Sequence, residues 1–253
     1  MSINKSLSSH ILKAALIGLL VVVIKLIPFE AILGISASTG EGVAKPAFYF
    51  IPMLFIYGIV ALELANIKSK LNIGKKGAFI IIFVFFFVID TLLSKLEGNF
   101  FIKDYPIIFN LSIGFLENIL TTIGIFYLWK QEDIMSNTKE KIVEYLKSRS
   151  VLSWIWRIVI VLILSFIIYM IIGAMAYPFT GPYMEKLIRV PSMFENFSIQ
   201  ILRGIAYILV TVPIIIFWNE SQRSLLLNLI LINILLYPVL GYAFSYFSHS
   251  CLG

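Results

Sequence analysis

The sequence predicts an all-α integral membrane protein: a single membrane domain of seven transmembrane helices, with a cytoplasmic N-terminus and an external C-terminus. Composition is the first indication, because the 253-residue chain is 60% hydrophobic and 13% charged, whereas about a quarter of a soluble domain is charged. The second is that seven stretches have the roughly 20 apolar residues that a spanning helix needs. The third is an uneven distribution of basic residues between the connections.

The seven predicted spans leave little chain for a soluble domain. They cover about residues 7–33, 46–65, 77–96, 105–129, 151–177, 198–218 and 224–247. Lys25 interrupts the apolar run of the first span, which is also longer than a signal-peptide core, so an uncleaved signal-anchor helix is expected. Pro178 is expected to end the fifth span, because proline lacks the backbone N–H that continues a helix.

The charged connections predict the orientation. Residues 66–76 carry four basic residues and residues 130–150 carry five. With four more at the ends of neighbouring spans, one side of the membrane has 13 basic residues and the other has five. The positive-inside rule then places the N-terminus in the cytoplasm and the protein, as a multi-pass chain, in the inner (cytoplasmic) membrane.

Two connections are more than turns. Within the 130–150 linker, residues 136–150 can form an amphipathic helix that lies on the membrane surface or docks a partner, although a solvated linker fits equally well. Residues 178–197 form the predicted external loop, which is rich in proline, glycine and aromatic residues. It could cap the bundle or re-enter a cavity where protein or water satisfies its backbone.

The fourth span carries a polar stripe. Asn110, Gly114, Glu117, Thr121 and Gly124 are three or four residues apart, so they share one helical face. A charged group inside a span costs about 2.5–3.5 kcal/mol, so other helices must cover Glu117. Asn110 and Thr121 can hydrogen-bond its carboxyl, and the glycines allow close helix contact. The stripe predicts binding of a proton, cation or substrate, or else a structural ion pair or hydrogen-bonded acid.

Five other ionisable residues lie within predicted spans: Lys25, Glu30, Glu63, Asp90 and Arg203. Arg203 shares a face of the sixth span with Gln200, and its guanidinium could hold a carboxylate or phosphate with two hydrogen bonds. It could equally be a structural partner of Asp90, which is predicted at similar depth. Lys25 is an alternative partner of Asp90 or Glu117. Glu63 lies near the cytoplasmic boundary, so its carboxylate is expected to be solvated.

The sequence therefore predicts binding or transport of a small solute, ion or lipid through a polar site formed by spans 1, 3, 4 and 6. One alternative is a structural or assembly subunit of a membrane protein complex. The other is an intramembrane enzyme acting on a lipid-linked or peptide substrate. The sequence lacks hydrolase, zinc-peptidase and phosphate-loop signatures, so it does not favour an enzyme.

The expected ligands follow from the same residues. The lone Cys251 and two terminal histidines supply no metal-ligand spacing, so no metal and no cofactor are expected. The formal charge of +6 flanks the spans rather than forming a nucleic-acid motif. Membrane lipids, a small molecule or ion, and another membrane protein are the candidate partners, and no nucleic acid is expected.

Overall fold

The computed structural model describes residues 2–26, 50–101, 107–130, 138–184 and 192–236, and every named element in these ranges is helical. In chain order the elements are α1 (Ser2–Leu26), α2 (Phe50–Ser69), α3 (Lys75–Phe86), a π-helical segment (Phe87–Leu92), α4 (Leu93–Phe101), α5 (Ile107–Leu128), α6 (Thr138–Lys147), α7 (Val151–Met184), α8 (Met193–Phe217) and α9 (Gln222–Leu236). The predicted all-helical fold class is confirmed.

Four helical stretches are long and apolar enough to cross a membrane, judged by length and composition. They are Leu7–Ile24, Lys75–Glu97, Ile107–Leu128 and Phe194–Phe217, which correspond to predicted spans 1, 3, 4 and 6. Large apolar side chains cover the outer surface of these helices, for example Ile80, Ile108 and Leu209 at 60%, 79% and 67% exposure. Such a surface is typical of helices that face lipid rather than water.

The fifth predicted span and the external loop have different bounds in the structure. Helix α7 continues past Pro178 to Met184, because a proline removes one backbone hydrogen bond and helices of membrane proteins tolerate that loss. Helix α8 begins at Met193, inside the predicted 178–197 loop. A capping box starts it: Ser192 N–H donates to Glu195 Oε2 at 2.8 Å, and Glu195 N–H donates to Ser192 Oγ at 3.2 Å.

The 130–150 linker contains a helix, α6, which is one of the two alternatives that the sequence left open, and this helix lies against the end of the bundle. Lys141 Nζ donates to the Asn72 carbonyl over 3.4 Å, and Ile142 packs partly buried against the core. The ring of Tyr145 meets Trp154 edge-on, with 5.5 Å between centroids. The chain's own bundle therefore covers part of the apolar face of α6.

Small residues bring the helices together. A Cβ at Gly18 would collide with the Leu54 carbonyl, and one at Gly58 would lie 3.2 Å from the Ala14 carbonyl oxygen. Helices α1 and α2 consequently pack with their backbones in near contact, as helices in membranes often do.

Two connections pair through their backbones at one end of the bundle. Asn72 N–H donates to the Phe217 carbonyl over 2.7 Å, and Asn219 N–H donates to the Lys70 carbonyl over 3.0 Å, which forms a single antiparallel bridge. The Lys70 ammonium adds an ion pair to Glu220 at 3.2 Å. We call this pairing of residues 70–72 with residues 217–219 the backbone clasp. It ties the α2–α3 connection to the α8–α9 connection.

Side-chain contacts show that α1 runs antiparallel to both α2 and α5. The start of α1, the end of α2 and the end of α5 meet where His10 and Lys68 contact Trp129. We call this the basic end of the bundle. The backbone clasp lies at this end too, because residues 70–72 directly follow α2. Arg203, near the start of α8, pairs with Glu97 in α4 at the opposite end. The basic end is the one that the sequence predicts to be cytoplasmic.

Candidate functional site

A polar cluster lies where α5 faces the π-helical segment. Asn118 Nδ2 donates to Thr91 Oγ1 over 2.6 Å and reaches Asp90 Oδ2 at 3.4 Å. The Thr91 hydroxyl also lies 3.3 Å from Asp90 Oδ2. Short π-helical segments inside α-helices occur frequently at functional sites. Here the segment puts an acid and a hydroxyl against the buried face of α5.

The predicted stripe on α5 faces the interior of the bundle. Glu117 is 2% exposed and Thr121 is fully buried. A Cβ at Gly114 would collide with the side chain of Thr91, and one at Gly124 would collide with Ile17 of α1. The glycines therefore allow α5 to approach both neighbours, as the spacing predicted, and Glu117 lies between the two glycines along the helix.

Two further polar residues of α5 are fully buried although the stripe did not include them. Asn118 and Thr122 are both 0% exposed, and the Thr122 hydroxyl donates to the Asn118 carbonyl over 2.8 Å. They were missed because a single stripe covers one face, whereas α5 is covered by α1 on one side and by the π-helical segment on another. Asn110, at the end of the stripe, is half-buried.

Two buried side-chain oxygens of α5 could each accept a hydrogen bond that they do not receive from the described residues. Asn118 Oδ1 and Thr121 Oγ1 are buried and make no hydrogen bond to any residue that the structure describes. A buried polar atom without a hydrogen bond costs about 1–3 kcal/mol. Each of these oxygens can accept a hydrogen bond. We call these two residues, together with the buried Glu117 of the same helix and with Thr91 and Asp90, the Glu117 cluster.

Arg203 points into the bundle as predicted, but its ion pair is with Glu97 rather than the expected Asp90. The guanidinium Nη1 lies 3.5 Å from Glu97 Oε1, and the two side chains are 8% and 22% exposed. Glu97 was overlooked because the third span was predicted to end at residue 96, whereas helix α4 extends to residue 101. Glu97 is about two turns beyond Asp90, toward the end of the bundle where Arg203 lies.

A small pocket adjoins this pair. Arg203 and Glu97 line it together with apolar side chains that include Leu93, Phe100 and Leu202. Gln200, one turn before Arg203, is 2% exposed, and its amide atoms make no hydrogen bond within the described ranges. Lys25 belongs to α1, but its side chain lies outside the described residues, so its predicted pairing stays a prediction.

Two charged residues are more buried than their sequence positions indicated. Glu63 is 8% exposed, so the expectation of a solvated carboxylate is wrong. Lys68, counted among the cytoplasmic lysines, is 1% exposed. Its ammonium donates to the Trp129 carbonyl at the end of α5 and lies 4.3 Å from the Phe126 ring centroid. The end of a helix attracts a cation, and this attraction stabilises the buried ammonium.

The environment of Lys68 changes its ionisation. Burial, together with the neighbouring positive charges of Lys13 and Lys75, lowers the pKa of the Lys68 ammonium from its usual 10.5 to about 8. Lys68 follows the predicted second span, 46–65, in the connection expected at the cytoplasmic surface. Lys13 of α1 and Lys75 of α3 are therefore close enough to repel the Lys68 ammonium.

Comparison of the chain with models of protein families, with curated proteins and with solved structures found no match in any of the three. Among the described residues no group of three His, Cys, Asp or Glu side chains could hold a metal ion. The class of protein therefore follows from its composition and helices alone: an all-helical chain whose apolar helices are compatible with a membrane protein.

Proposed function

We propose that this chain is a multi-pass protein of the cytoplasmic membrane, with seven spans and a cytoplasmic N-terminus, that binds a proton or monovalent cation at the Glu117 cluster. Transport of that ion, alone or with a small solute, is the corresponding activity. The observation that carries the proposal is the buried carboxyl of Glu117, 2% exposed in the middle of a helix able to cross a membrane.

The chemistry of the neighbours supports a small cation or proton as the ligand. Oxygen atoms are the ligands that hard cations prefer. Asn118 contacts Thr91 and Asp90 across the helix interface, and the same helix, α5, buries the Glu117 carboxyl and the Thr121 hydroxyl. An ionisable residue at this depth is by default a candidate for an ion pathway or proton relay.

The arrangement of the helix ends supports the orientation. The antiparallel helices bring Lys13, Lys68 and Lys70 to the basic end, which the charge asymmetry assigns to the cytoplasm. Helices α2, α7 and α9 lie in the positions of the other predicted spans. Contacts between side chains make α2 antiparallel to α9, and α7 antiparallel to α8. Seven spans are consistent with these directions.

Ligand-dependent stability tests the proposed site. The purified protein in uncharged detergent is unfolded by heat in sodium, potassium or choline chloride at equal ionic strength, over a range of pH. A bound ion at 100 times its dissociation constant stabilises by about 2.7 kcal/mol. The wild-type midpoint should rise with one alkali cation or shift with pH, and Glu117→Gln should remove that response.

The control is Glu63→Gln, which also replaces a buried acid with an amide, in helix α2 away from the cluster. It should keep the wild-type response. Identical responses of wild type and Glu117→Gln would contradict the proposed site.

A structural or assembly subunit is the second candidate. It is favoured by the Arg203–Glu97 ion pair, because permanently paired charges are what that role predicts. An intramembrane enzyme has less support, since the described residues that line the pocket beside Arg203 include no serine, threonine or cysteine. If neither pH nor cations affect stability through Glu117, the subunit role becomes the better explanation.

A further inference from the structure

Four side chains meet at the basic end of the bundle, and none of them belongs to the Glu117 cluster. Trp129, just after α5, stands between Lys68 of α2 and two residues of α1. Its indole Nε1 donates to His10 Nδ1 over 2.8 Å, and the Lys13 ammonium lies 5.7 Å from the centroid of its ring system. The Lys68 ammonium donates a hydrogen bond to the Trp129 carbonyl. Trp129 itself is 8% exposed.

The hydrogen bond from Trp129 determines which nitrogen of His10 carries the proton. An indole N–H can only donate, so His10 Nδ1 must accept and is unprotonated. In the neutral imidazole the proton is then on Nε2, which becomes a donor. His10 is exposed, and no described residue accepts from Nε2. The imidazole therefore presents a donor beside the Lys13 ammonium, one helical turn away.

The positive charge gathered here has no carboxylate partner among the described residues. Lys13 makes no ion pair with them, and Lys68 contacts a carbonyl and an aromatic ring. Lys70, by contrast, is paired with Glu220. Basic groups held this close together repel one another unless an anion lies between them.

We propose that His10, Lys13 and Lys68, arranged around Trp129, bind a phosphate group, and that its source is the headgroup of an anionic membrane phospholipid. His10 Nε2–H and the Lys13 ammonium make the direct contacts, and the Lys68 charge adds to the attraction from behind Trp129. Basic pockets between membrane helices on the cytoplasmic side are known to recognise phosphate headgroups in this way.

The surroundings favour a lipid over a free phosphate ion. Leu7, Ile11 and Leu12 lie on α1 beside His10 and Lys13, and they are 60%, 56% and 63% exposed. Acyl chains can cover these side chains while the headgroup stays on the basic residues. A tryptophan is also common at the depth where headgroups and acyl chains meet.

Lipid binding to the intact purified protein tests the proposal. Native mass spectrometry from uncharged detergent would count bound phosphatidylglycerol and phosphatidylcholine at increasing lipid concentration. Removing one lysine near anionic lipid is worth about 1 kcal/mol. Lys13→Gln should therefore weaken phosphatidylglycerol binding about fivefold and leave phosphatidylcholine unchanged. His10→Phe should weaken it as well, because both imidazole nitrogens are lost.

The matched control is Lys147→Gln, which removes the same charge from the exposed end of α6. It should change binding less than twofold. Thermal unfolding of each variant shows whether the fold is intact. Glu132 and Asp133 lie outside the described residues, so Glu132→Gln with Asp133→Asn is a further variant. Lipid binding should change less than twofold in this variant. A larger gain would show that these acids neutralise the basic residues in the wild type, and would overturn the uncompensated site.

The outcomes separate the possibilities. Equal losses in Lys13→Gln and Lys147→Gln would show that diffuse charge attracts the lipid, and would overturn the site. Displacement of phosphatidylglycerol by millimolar inorganic phosphate would support the phosphate chemistry and overturn the lipid source. Equal binding of both lipids by the wild type would overturn the proposal as a whole.

Discussion

Asn118 of α5 donates a 2.6 Å hydrogen bond to the Thr91 hydroxyl in the π-helical segment, and both side chains are at most 1% exposed. This contact joins the two helices that hold Glu117 and Asp90. It fixes the side of α5 that faces the segment, so the cluster depends on it for its geometry.

Asn118→Ala should destabilise the protein by about 1–3 kcal/mol, because it leaves the Thr91 hydroxyl buried with one partner fewer. Unfolding in increasing denaturant, followed by tryptophan fluorescence, measures the change. Ser112→Ala is the control, since Ser112 is exposed and donates to the carbonyl of its own helix. An equal, small effect of both substitutions would show that the contact contributes little.

Gly114→Ala should also destabilise, although alanine is the better helix former by about 1 kcal/mol. The added methyl group meets the branched side chain of Thr91, which Asn118 holds in place. Overpacking of this kind costs about 1–3 kcal/mol. Gly77→Ala is the comparison, because its methyl group meets the flexible end of Ile73, which can move. The measurement is the thermal midpoint, and the prediction fails if Gly114→Ala is the more stable of the two.

Arg203→Ala should lower the yield of folded protein, because it removes the guanidinium that pairs with the mostly buried Glu97 carboxylate. Breaking a buried ion pair on one side typically costs about 3–5 kcal/mol. Adding Glu97→Gln should restore part of the loss, whereas adding Asp90→Asn should not. Size-exclusion chromatography measures the yield of folded protein. The thermal unfolding midpoints of the single and double variants give the interaction energy between the two residues. Strictly additive effects for Arg203 and Glu97 would contradict the pairing.

The Lys68 ammonium predicts a pH dependence above neutrality. Its pKa falls from 10.5 to about 8 in the folded protein, so in this range the unfolded chain holds a proton that the folded chain has released. Stability contributed by Lys68 should therefore rise as the pH increases from 8 to 10.5, while below 8 the full penalty of burying the charge remains.

Lys68→Met isolates that contribution, because the other titrating groups remain. The unfolding free energy of the wild type minus that of the variant should increase as the pH rises from 8 to 10.5. A difference that stays constant with pH would mean that Lys68 titrates alike in both states.

The proposed topology places Cys251 outside the cell. The basis is the distribution of basic residues, 13 on one side and five on the other. A membrane-impermeant thiol reagent should label Cys251 in intact cells, with Cys251→Ser as the blank. A cysteine introduced at Lys147, on the opposite predicted side, in the Cys251→Ser background should be labelled after lysis only. The reverse pattern would invert the topology.

Sequence patterns predicted the helices and the main buried face well. Apolar length located the helices, and the spacing of Gly114, Glu117 and Thr121 identified the buried face of α5. Both properties are local, since they repeat along one helix. The contact of Arg203 with Glu97 and the burial of Lys68 depend instead on how far a helix extends and which neighbour meets it. Those facts come from packing between distant segments, which composition and periodicity do not contain.

The backbone clasp has a consequence for the order in which the chain assembles. Residues 70–72 pair with residues 217–219, so nearly 150 intervening residues must be synthesised before the clasp can form. Contacts between such distant segments form late, because a long loop has to close first. Helices α2 and α3 must then remain side by side through their own packing while the rest is made. A chain released before residue 217 would keep an unpaired backbone edge, the kind of surface by which quality-control proteases and chaperones can recognise an unfinished protein.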